Sequence, residues 1–343
     1  MTYPVETGKI QTIEDEIACK KEEMRVNNTS NRRLHKRSFW RSVRQEIKNN
    51  WLLFVMLIPA IAYVIIFAYW PMTGVVLAFK DFKTRLGIYG SPWVGLQNFK
   101  FLQISGKLGM LTRNTLLYNL AFIVLGVILE MGFAIILNEV VGRKFKKGLQ
   151  TIMFLPYFIS WVVVSAIMFN MFNYEKGTIN NLLSSLGAQR FDLYNSGPSW
   201  PIVLIAVNAW KRTGYGMVVY LAAITGLDQE VFEAASIDGA NVWQKIRHVT
   251  IPSLIPQMMI LVLLALGNVF RGDFGMFYQT VKDNSNLLPY TDILDTYVYR
   301  SLMQTGDIGM SAAAGLYQSV LCFVTICAAN LLVKKVQPDY ALF

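Results

Sequence analysis

The sequence predicts an all-α integral membrane protein with about six transmembrane helices. Hydrophobic residues make up 54% of the 343 residues and charged residues only 16%, and the mean hydropathy is +0.37. The apolar residues gather into blocks that reach the ~20 residues a helix needs to cross the hydrocarbon core of a bilayer. One membrane domain therefore fits the chain better than two soluble domains.

Residues 1–48 are predicted to form a cytoplasmic N-terminal tail. Residues 1–31 mix both charges and lack apolar periodicity, which is typical of a flexible segment rather than of a signal peptide. Residues 32–48, directly before the first apolar block, hold one acid, Glu46. The same residues include seven basic ones, which are Arg32, Arg33, Lys36, Arg37, Arg41, Arg44 and Lys48. Basic residues beside a membrane entry point indicate the cytoplasmic side. Contact with anionic lipid and nucleic-acid binding are the other interpretations of this charge.

Six apolar blocks are predicted to span the bilayer inside a transmembrane domain of residues 49–335. They cover approximately residues 51–79, 114–140, 149–172, 201–227, 251–270 and 311–333. The turn between the second and third blocks carries the basic residues Arg143, Lys144, Lys146 and Lys147. This turn is therefore expected in the cytoplasm. The two termini, including a short C-terminal tail of residues 336–343, are then cytoplasmic as well.

The sequence offers no set of residues for catalysis, so we expect this chain not to be an enzyme. The histidines His35 and His248 fall on the predicted cytoplasmic side, and the cysteines Cys19, Cys322 and Cys327 lack metal-ligand spacing. No G-x-x-x-x-G-K-[ST] phosphate loop occurs in the sequence. We expect neither a metal nor a cofactor on this chain. Any ATP and Mg²⁺ that drive it must then be bound by a partner subunit.

The polar segment between the fourth and fifth spans, residues 228–252, carries the most informative pattern. Residues 228–237 are predicted to form a short helix that ends where a glycine allows positive φ, and residues 242–249 to form a second one. The pattern consists of Glu233-Ala234-Ala235, Asp238-Gly239-Ala240 and Ile251-Pro252. The two alanines remove bulk from one helix face, so that the surface of a partner can approach closely.

This pattern resembles the EAA loop in the permease subunits of ATP-binding-cassette importers. Other segments resemble the oligosaccharide branch of these permeases in Gram-positive bacteria, so the resemblance covers roughly residue 45 to the C-terminus. These segments are Tyr69-Trp70-Pro71-Met72-Thr73-Gly74, Ala78-Phe79-Lys80-Asp81-Phe82, Gly95-Leu96-Gln97-Asn98-Phe99 and Asp295-Thr296-Tyr297-Val298-Tyr299-Arg300. The resemblance implies a type I importer permease fold whose loop is a coupling helix docked on the ATPase. It assigns coupling to Glu233, Ala234, Ala235, Asp238, Gly239, Ala240, Ile251 and Pro252.

The resemblance also implies the partners of a multi-subunit importer in the bacterial cell membrane. These are a second permease subunit in a pseudo-symmetric heterodimer, two ATP-binding-cassette subunits, an extracellular solute-binding lipoprotein and an oligosaccharide, with no nucleic acid. The chain would form half of the translocation path and work by alternating access. One alternative is a permease for an amino acid or a polyamine. Others are a secondary transporter or channel that works alone, for which inverted repeats are expected, and a membrane sensor or scaffold.

A candidate solute path lies in the fourth span, because charged side chains are costly in lipid and face protein or water instead. The candidate residues there are Asn208, Trp210, Lys211, Arg212 and Tyr215. Aromatic rings stack on sugar rings, and long donors reach hydroxyl or carboxylate groups. The alternative is that Lys211 pairs with Glu130 as a structural lock between spans. A second candidate set is Asn268, Arg271 and Asp273, for which the alternative is an interfacial charge pair that closes the fifth span.

Overall fold

The computed structural model describes residues 39–104, 106–338 and 341. Most of the predicted N-terminal tail, with Cys19 and His35, and part of the predicted C-terminal tail lie outside these residues. Apart from one isolated antiparallel bridge between Lys80 and Trp93, the described residues form helices, turns and irregular segments. The predicted all-α class is therefore confirmed. The chain divides into two units, residues 1–73 and residues 74–343.

The described part of the first unit is a helical segment that runs into the predicted first span. Helix α1 (Phe39–Asn49) is followed by α2 (Trp51–Val64), and Asn50 interrupts the helical geometry between them with φ −117° and ψ 28°. A wide helical turn (Ile65–Tyr69) and a 3₁₀ segment (Trp70–Phe79) continue the chain. The mean hydropathy of the best window in residues 51–79 is 2.6, which fits a membrane span.

The second unit holds the remaining helices, which we number in chain order. They are α3 (Gly87–Gly90), α4 (Gln97–Ile104), α5 (Lys107–Glu139), α6 (Arg143–Phe154), α7 (Trp161–Phe172), α8 (Thr178–Ser185), α9 (Trp200–Thr225), α10 (Gln229–Ile237), α11 (Val242–Lys245), α12 (Ile251–Leu266), α13 (Phe274–Val281), α14 (Leu288–Thr291), α15 (Leu294–Arg300) and α16 (Ile308–Val336). A 3₁₀ turn (Leu155–Phe158) extends α6, and another (Gly197–Ser199) precedes α9. Wider helical turns join α11 to α12 (Ile246–Thr250) and extend α15 (Ser301–Thr305).

Among the described residues, four helical segments are long and apolar enough to cross a membrane. They are Trp51–Phe79, Lys107–Glu139, Val242–Leu266 and Ile308–Lys335. A fifth span results if the bent pair Arg143–Phe158 and Trp161–Phe172 is one span. Helix α9 has 26 residues and reaches roughly 39 Å at the usual rise per residue, but Lys211 and Arg212 make it less apolar. Each of the six predicted spans therefore corresponds to a helical segment.

Several predicted boundaries differ from those in the structure. Helix α5 begins at Lys107, before the predicted start of the second span at residue 114, and the predicted basic turn of residues 143–147 forms the first turns of α6. The second helix of the polar loop does not end at residue 249 but continues into the fifth span. Residues 271–307, which lie between the predicted fifth and sixth spans, contain helices α13 to α15, because their apolar residues are packed against the spans.

The third span is broken rather than continuous, and this is the largest departure from the predicted fold. Its two halves bend by 96° at residues 159–160. Pro156 lacks a backbone N–H, and Ile159 adopts an extended conformation with ψ 128°. Ser160 then starts α7 as its N-cap, with its Oγ accepting a hydrogen bond from the Val163 N–H at 3.4 Å. The break exposes backbone carbonyls that a membrane environment leaves without water.

Helix α9 packs along α5 and lies directly against the broken span. Met217 and Tyr220 of α9 are buried in one apolar cluster with Ala134 of α5. Gly214 is the point of closest approach, because an added Cβ would lie 1.8 Å from the Met153 carbonyl oxygen. The sequence therefore needs glycine at this position for reasons of space.

We expect Gly214→Ala to destabilise the second unit, because the methyl group would overlap backbone atoms of the third span. Overpacking of this kind typically costs about 1–3 kcal/mol. Thermal unfolding of the purified chain in detergent should show a lowered midpoint. Gly132→Ala is the matched control, since Gly132 also lies in a long helix but has no atom within 4 Å of an added Cβ. Equal midpoints for Gly214→Ala and the wild type would contradict this packing.

Candidate functional site

The ammonium group of Lys211 lies at the break of the third span. Its Nζ donates hydrogen bonds to the carbonyl oxygens of Pro156 at 3.2 Å, Tyr157 at 2.7 Å and Ile159 at 2.5 Å. The Trp161 ring lies 5.3 Å from the same nitrogen and contributes a cation–π contact. Only 8% of Lys211 is exposed. A buried lysine has three donors, and here each of them meets a carbonyl that the break leaves free.

This geometry corrects the alternative in which Lys211 pairs with Glu130. The hydrogen bonds of Lys211 go to backbone carbonyls, so its structural contact is with the third span. Tyr215 also faces that span, stacked on the Tyr157 ring with centroids 4.6 Å apart, and Trp210 is half exposed. Lys211, Trp210 and Tyr215 do not line the cavity described next. Their part in a solute path remains a prediction.

A polar cavity of about 370 Å³ lies between α5, α9, α12 and the segment that follows α12. Its polar and charged lining consists of Asn119, Glu130, Asn208, Arg212, Thr213, Tyr220, Asn268, Arg271 and Asp273. Five of the eight residues proposed for a solute path are in this set, namely Asn208, Arg212, Asn268, Arg271 and Asp273. The structure thus brings together the two candidate sets that the sequence left separate, one from the fourth span and one from the end of the fifth.

Asp273 connects three elements at the edge of this cavity. Its Oδ2 accepts a hydrogen bond from Arg212 Nη2 at 2.9 Å and one from Trp161 Nε1 at 3.0 Å. Its Oδ1 accepts from the Met276 N–H at 3.1 Å and caps α13. The charge pair at the end of the fifth span is therefore formed with Arg212 of α9. It joins α9 to α13 and to the start of α7.

A second, partly buried carboxylate, Asp295, contacts the backbone of the segment that follows α12. It accepts hydrogen bonds from the Gly272 N–H at 2.7 Å and from Gln318 Nε2 at 3.0 Å. Burial raises the pKa of the Asp295 carboxyl, while these hydrogen bonds and the positive charge of Arg271 act in the opposite direction. Asp295 and Gln318 therefore fix the backbone between Arg271 and Asp273.

Glu130 occupies the space beside a glycine of α9. A Cβ added to Gly216 would lie 1.9 Å from Glu130 Cδ, so this glycine leaves room for the carboxyl group in its present conformation. Tyr220, one turn further along α9, is fully buried, and its hydroxyl has no hydrogen-bond partner among the described residues. Gly216, Tyr220 and Trp161 were not predicted as site residues from the sequence. The sequence did contain a signal for a close approach between helices. Gly214 and Gly216 lie on either side of Tyr215, shortly after the cations Lys211 and Arg212 of the fourth span.

The polar loop after α9 forms a helix, a tight turn and a second helix, as the sequence predicted. Asp228 caps α10 by accepting from the Glu230 N–H at 3.0 Å. Gly239 then adopts φ 77°, and the Ala240 N–H donates to the Ala235 carbonyl at 2.9 Å. These bonds satisfy the C-terminal carbonyls of α10 and direct the chain back into α11.

The outer surface of this loop exposes large apolar side chains. Ile237 is 86% exposed and Trp243 is 79% exposed. Beside them lies a concave surface of about 340 Å³, lined by Ala235, Asp238, Gly239, Ala240, Gln244, Lys245, His248 and Val249. Glu233 and Ala234 are exposed on α10, whereas Ala235 is partly buried at the concave surface. An exposed apolar surface around a concave centre is typical of a protein docking site.

Comparison with known proteins places both regions within one transport family. Residues 123–338 match the family described as binding-protein-dependent transport system inner membrane component. The chain is 34% identical over 289 residues to Protein LplB of Bacillus subtilis (strain 168), which covers 84% of this chain and 90% of that protein. It is 33% identical over 284 residues to the polygalacturonan/rhamnogalacturonan transport system permease protein YteP of the same organism, covering 82% and 88% respectively.

Solved structures share this fold as well. A crystal structure of a bacterial ABC transporter involved in the import of the acidic polysaccharide alginate contains a chain that is 30% identical, with a TM-score of 0.78. The match covers 86% of this chain and 99% of that one. A second structure shows the alginate transporter in complex with an alginate pentasaccharide-bound periplasmic protein, with a TM-score of 0.77 and 30% identity; it covers 85% of this chain and 97% of that one.

Proposed function

The chain belongs to the inner membrane components of binding-protein-dependent transport systems, and from this membership we infer that it forms half of the translocation path of an ATP-driven oligosaccharide importer. The observation that carries this function is the family match over residues 123–338, since that range contains the polar loop and all of the cavity lining except Asn119 and Phe122. The chain is a transport subunit rather than an enzyme. It works by alternating access, with the energy supplied by ATP hydrolysis on another subunit.

The polar cavity is the part of the solute path that this chain supplies. Asn208, Asn268 and Arg212 offer amide and guanidinium groups that hydrogen-bond to sugar hydroxyls, and Phe122 and Ile205 add apolar surface to the wall. Cavities of a few hundred Å³ with a few polar groups on an apolar wall are typical of small-molecule sites. The names of the relatives favour a sugar over the alternative solutes, an amino acid or a polyamine.

The polar loop is the coupling element that docks on the ATPase subunit. Its exposed apolar residues and its concave surface beside Gly239 support this role, together with the residues assigned by the family resemblance, Glu233 to Ala240 and Ile251-Pro252. ATP and Mg²⁺ are bound by that partner, and this chain carries no cofactor of its own. The loop therefore lies in the cytoplasm, which also places both termini there.

The complete importer contains further subunits that complement this chain. A second permease subunit forms the other half of the path in a pseudo-symmetric heterodimer, and each permease docks one ATP-binding-cassette subunit. A solute-binding protein delivers the oligosaccharide on the extracellular side, anchored there as a lipoprotein. The second solved neighbour is a complex with a pentasaccharide-bound periplasmic protein, which supports a partner of this kind.

The importer assembled from these subunits should take up sugar in proteoliposomes only when ATP and the loaded solute-binding protein are both present. The measurement is uptake of labelled neutral trisaccharides (arabinotriose, xylotriose, galactotriose) and uronate trisaccharides (trigalacturonate, trimannuronate). The chain purified alone should hydrolyse no ATP, because another subunit binds the nucleotide. ATP hydrolysis by the lone, contaminant-free chain, or uptake of none of these sugars by the full complex, would contradict the proposal.

Gly239→Val should disrupt the docking of the ATPase subunit, or its response to solute, without disturbing the spans. Valine resists the positive φ of this turn, at a typical cost of about 1–3 kcal/mol, and would enlarge the docking surface at its closest approach. No atom lies within 4 Å of an added Cβ, so the effect inside the chain is confined to the turn. We expect the variant to pair with its partner permease but to lose the ATPase subunit or its solute-stimulated hydrolysis.

Gly239→Asn is the matched control for this experiment, since asparagine tolerates positive φ better than valine. It should retain more of the coupled hydrolysis than Gly239→Val does. Subunit stoichiometry and ATP hydrolysis are measured in the same preparation. Full coupled transport by the Gly239→Val complex would show that this loop is not the coupling element.

A further inference from the structure

Two polar groups in the cavity wall remain without a hydrogen bond from any described residue. One is the hydroxyl of Tyr220, which is completely buried. The other is the carboxyl group of Glu130, on which the positive charge of Arg212 acts. A buried polar group without a partner costs free energy. Because both groups line the same cavity, each is available to a ligand inside it.

The position of Glu130 is fixed by the shape of the two long helices. Its carboxyl group lies against Gly216 of α9, where an added Cβ would be 1.9–2.4 Å from its atoms. Gly126, one turn earlier on α5, lies beside the same group, and an added Cβ there would be in ordinary van der Waals contact with Oε1 at 3.6 Å. The lack of a side chain at Gly216 therefore leaves space for the Glu130 carboxyl group at the cavity wall.

The remaining charges of the cavity are already engaged. Arg212 forms its ion pair with Asp273 at 2.9 Å. Arg271 lies near the partly buried carboxyl group of Asp295, whose ionised form it stabilises. Once these two pairs are formed, Glu130 is the carboxyl group of the wall that has no ion pair among the described residues.

We propose that Glu130 and Tyr220 form a subsite for the hydroxyl groups of a neutral sugar ring, and that Glu130 disfavours uronate rings. This proposal rests on the proposed function of the cavity as part of a sugar path. A carboxylate accepts hydrogen bonds from two adjacent hydroxyls, and a phenol both donates and accepts one. A uronate ring would bring a second carboxylate beside Glu130, and like charges placed side by side repel each other.

The test compares Glu130→Gln with wild type in proteoliposomes that contain the complete importer and its solute-binding protein. The probes are the three neutral and two uronate trisaccharides named above. Wild type should import at least one neutral sugar faster than either uronate. In Glu130→Gln, loss of the charged acceptor should reduce neutral uptake about tenfold. Uronate uptake should stay the same or rise, so that the ratio of neutral to uronate uptake falls. Glu139→Gln is the control, because Glu139 is exposed at the end of the same helix.

The ratio of neutral to uronate uptake distinguishes a role of Glu130 in sugar selection from a purely structural role. Equal losses for neutral and uronate sugars in Glu130→Gln, or faster import of a uronate by wild type, would overturn the proposal. If Glu130→Gln does not assemble, Tyr220→Phe serves instead, since it removes only the hydroxyl. It should lower neutral uptake several-fold, and unchanged uptake would overturn the subsite. Import of no sugar by wild type would instead reject the proposed function itself.

Discussion

The contact between the Lys211 ammonium group and three carbonyls of the third span is the interaction on which the site depends. A break inside a membrane span frees carbonyl groups, and each unsatisfied group costs several kcal/mol in lipid. A lysine in the same environment is costly as well. The structure removes both costs together, because the three donors of Lys211 reach Pro156, Tyr157 and Ile159. Gly214 lets α9 approach closely enough for this contact.

Lys211 and Arg212 are neighbours in α9, but they bind different elements of the structure. Lys211 is bound to the broken span, whereas Arg212 binds Asp273, which also caps α13 and accepts from Trp161. The start of α7, the middle of α9 and the start of α13 are therefore held at one point. The cavity lies beside that point, and the polar loop follows the C-terminal end of α9 directly. A movement of the loop and a change in the cavity can thus be transmitted through one helix.

The sequence predicted those features that are encoded locally. The spans follow from blocks of apolar residues, and the loop follows from adjacent signals such as the Asp228 cap and the Gly239 turn. Contacts between distant residues were not predictable in this way. Lys211 lies 55 residues from Pro156, and Arg212 lies 61 residues from Asp273. Helix periodicity shows which face a cation occupies but not which neighbouring element reaches it, so the Lys211–Glu130 alternative was wrong.

The central role of the Lys211 contact is tested most directly by hydrogen–deuterium exchange on wild type and Lys211→Met in the assembled complex. Methionine has a similar length and packs in the same space, but it donates no hydrogen bond to the carbonyls. We predict that amides of residues 159–165, around the break, lose protection while those of α5 keep theirs. Lys176→Met, at an exposed lysine, should leave both regions unchanged. Equal protection around the break in Lys211→Met and wild type would contradict this role.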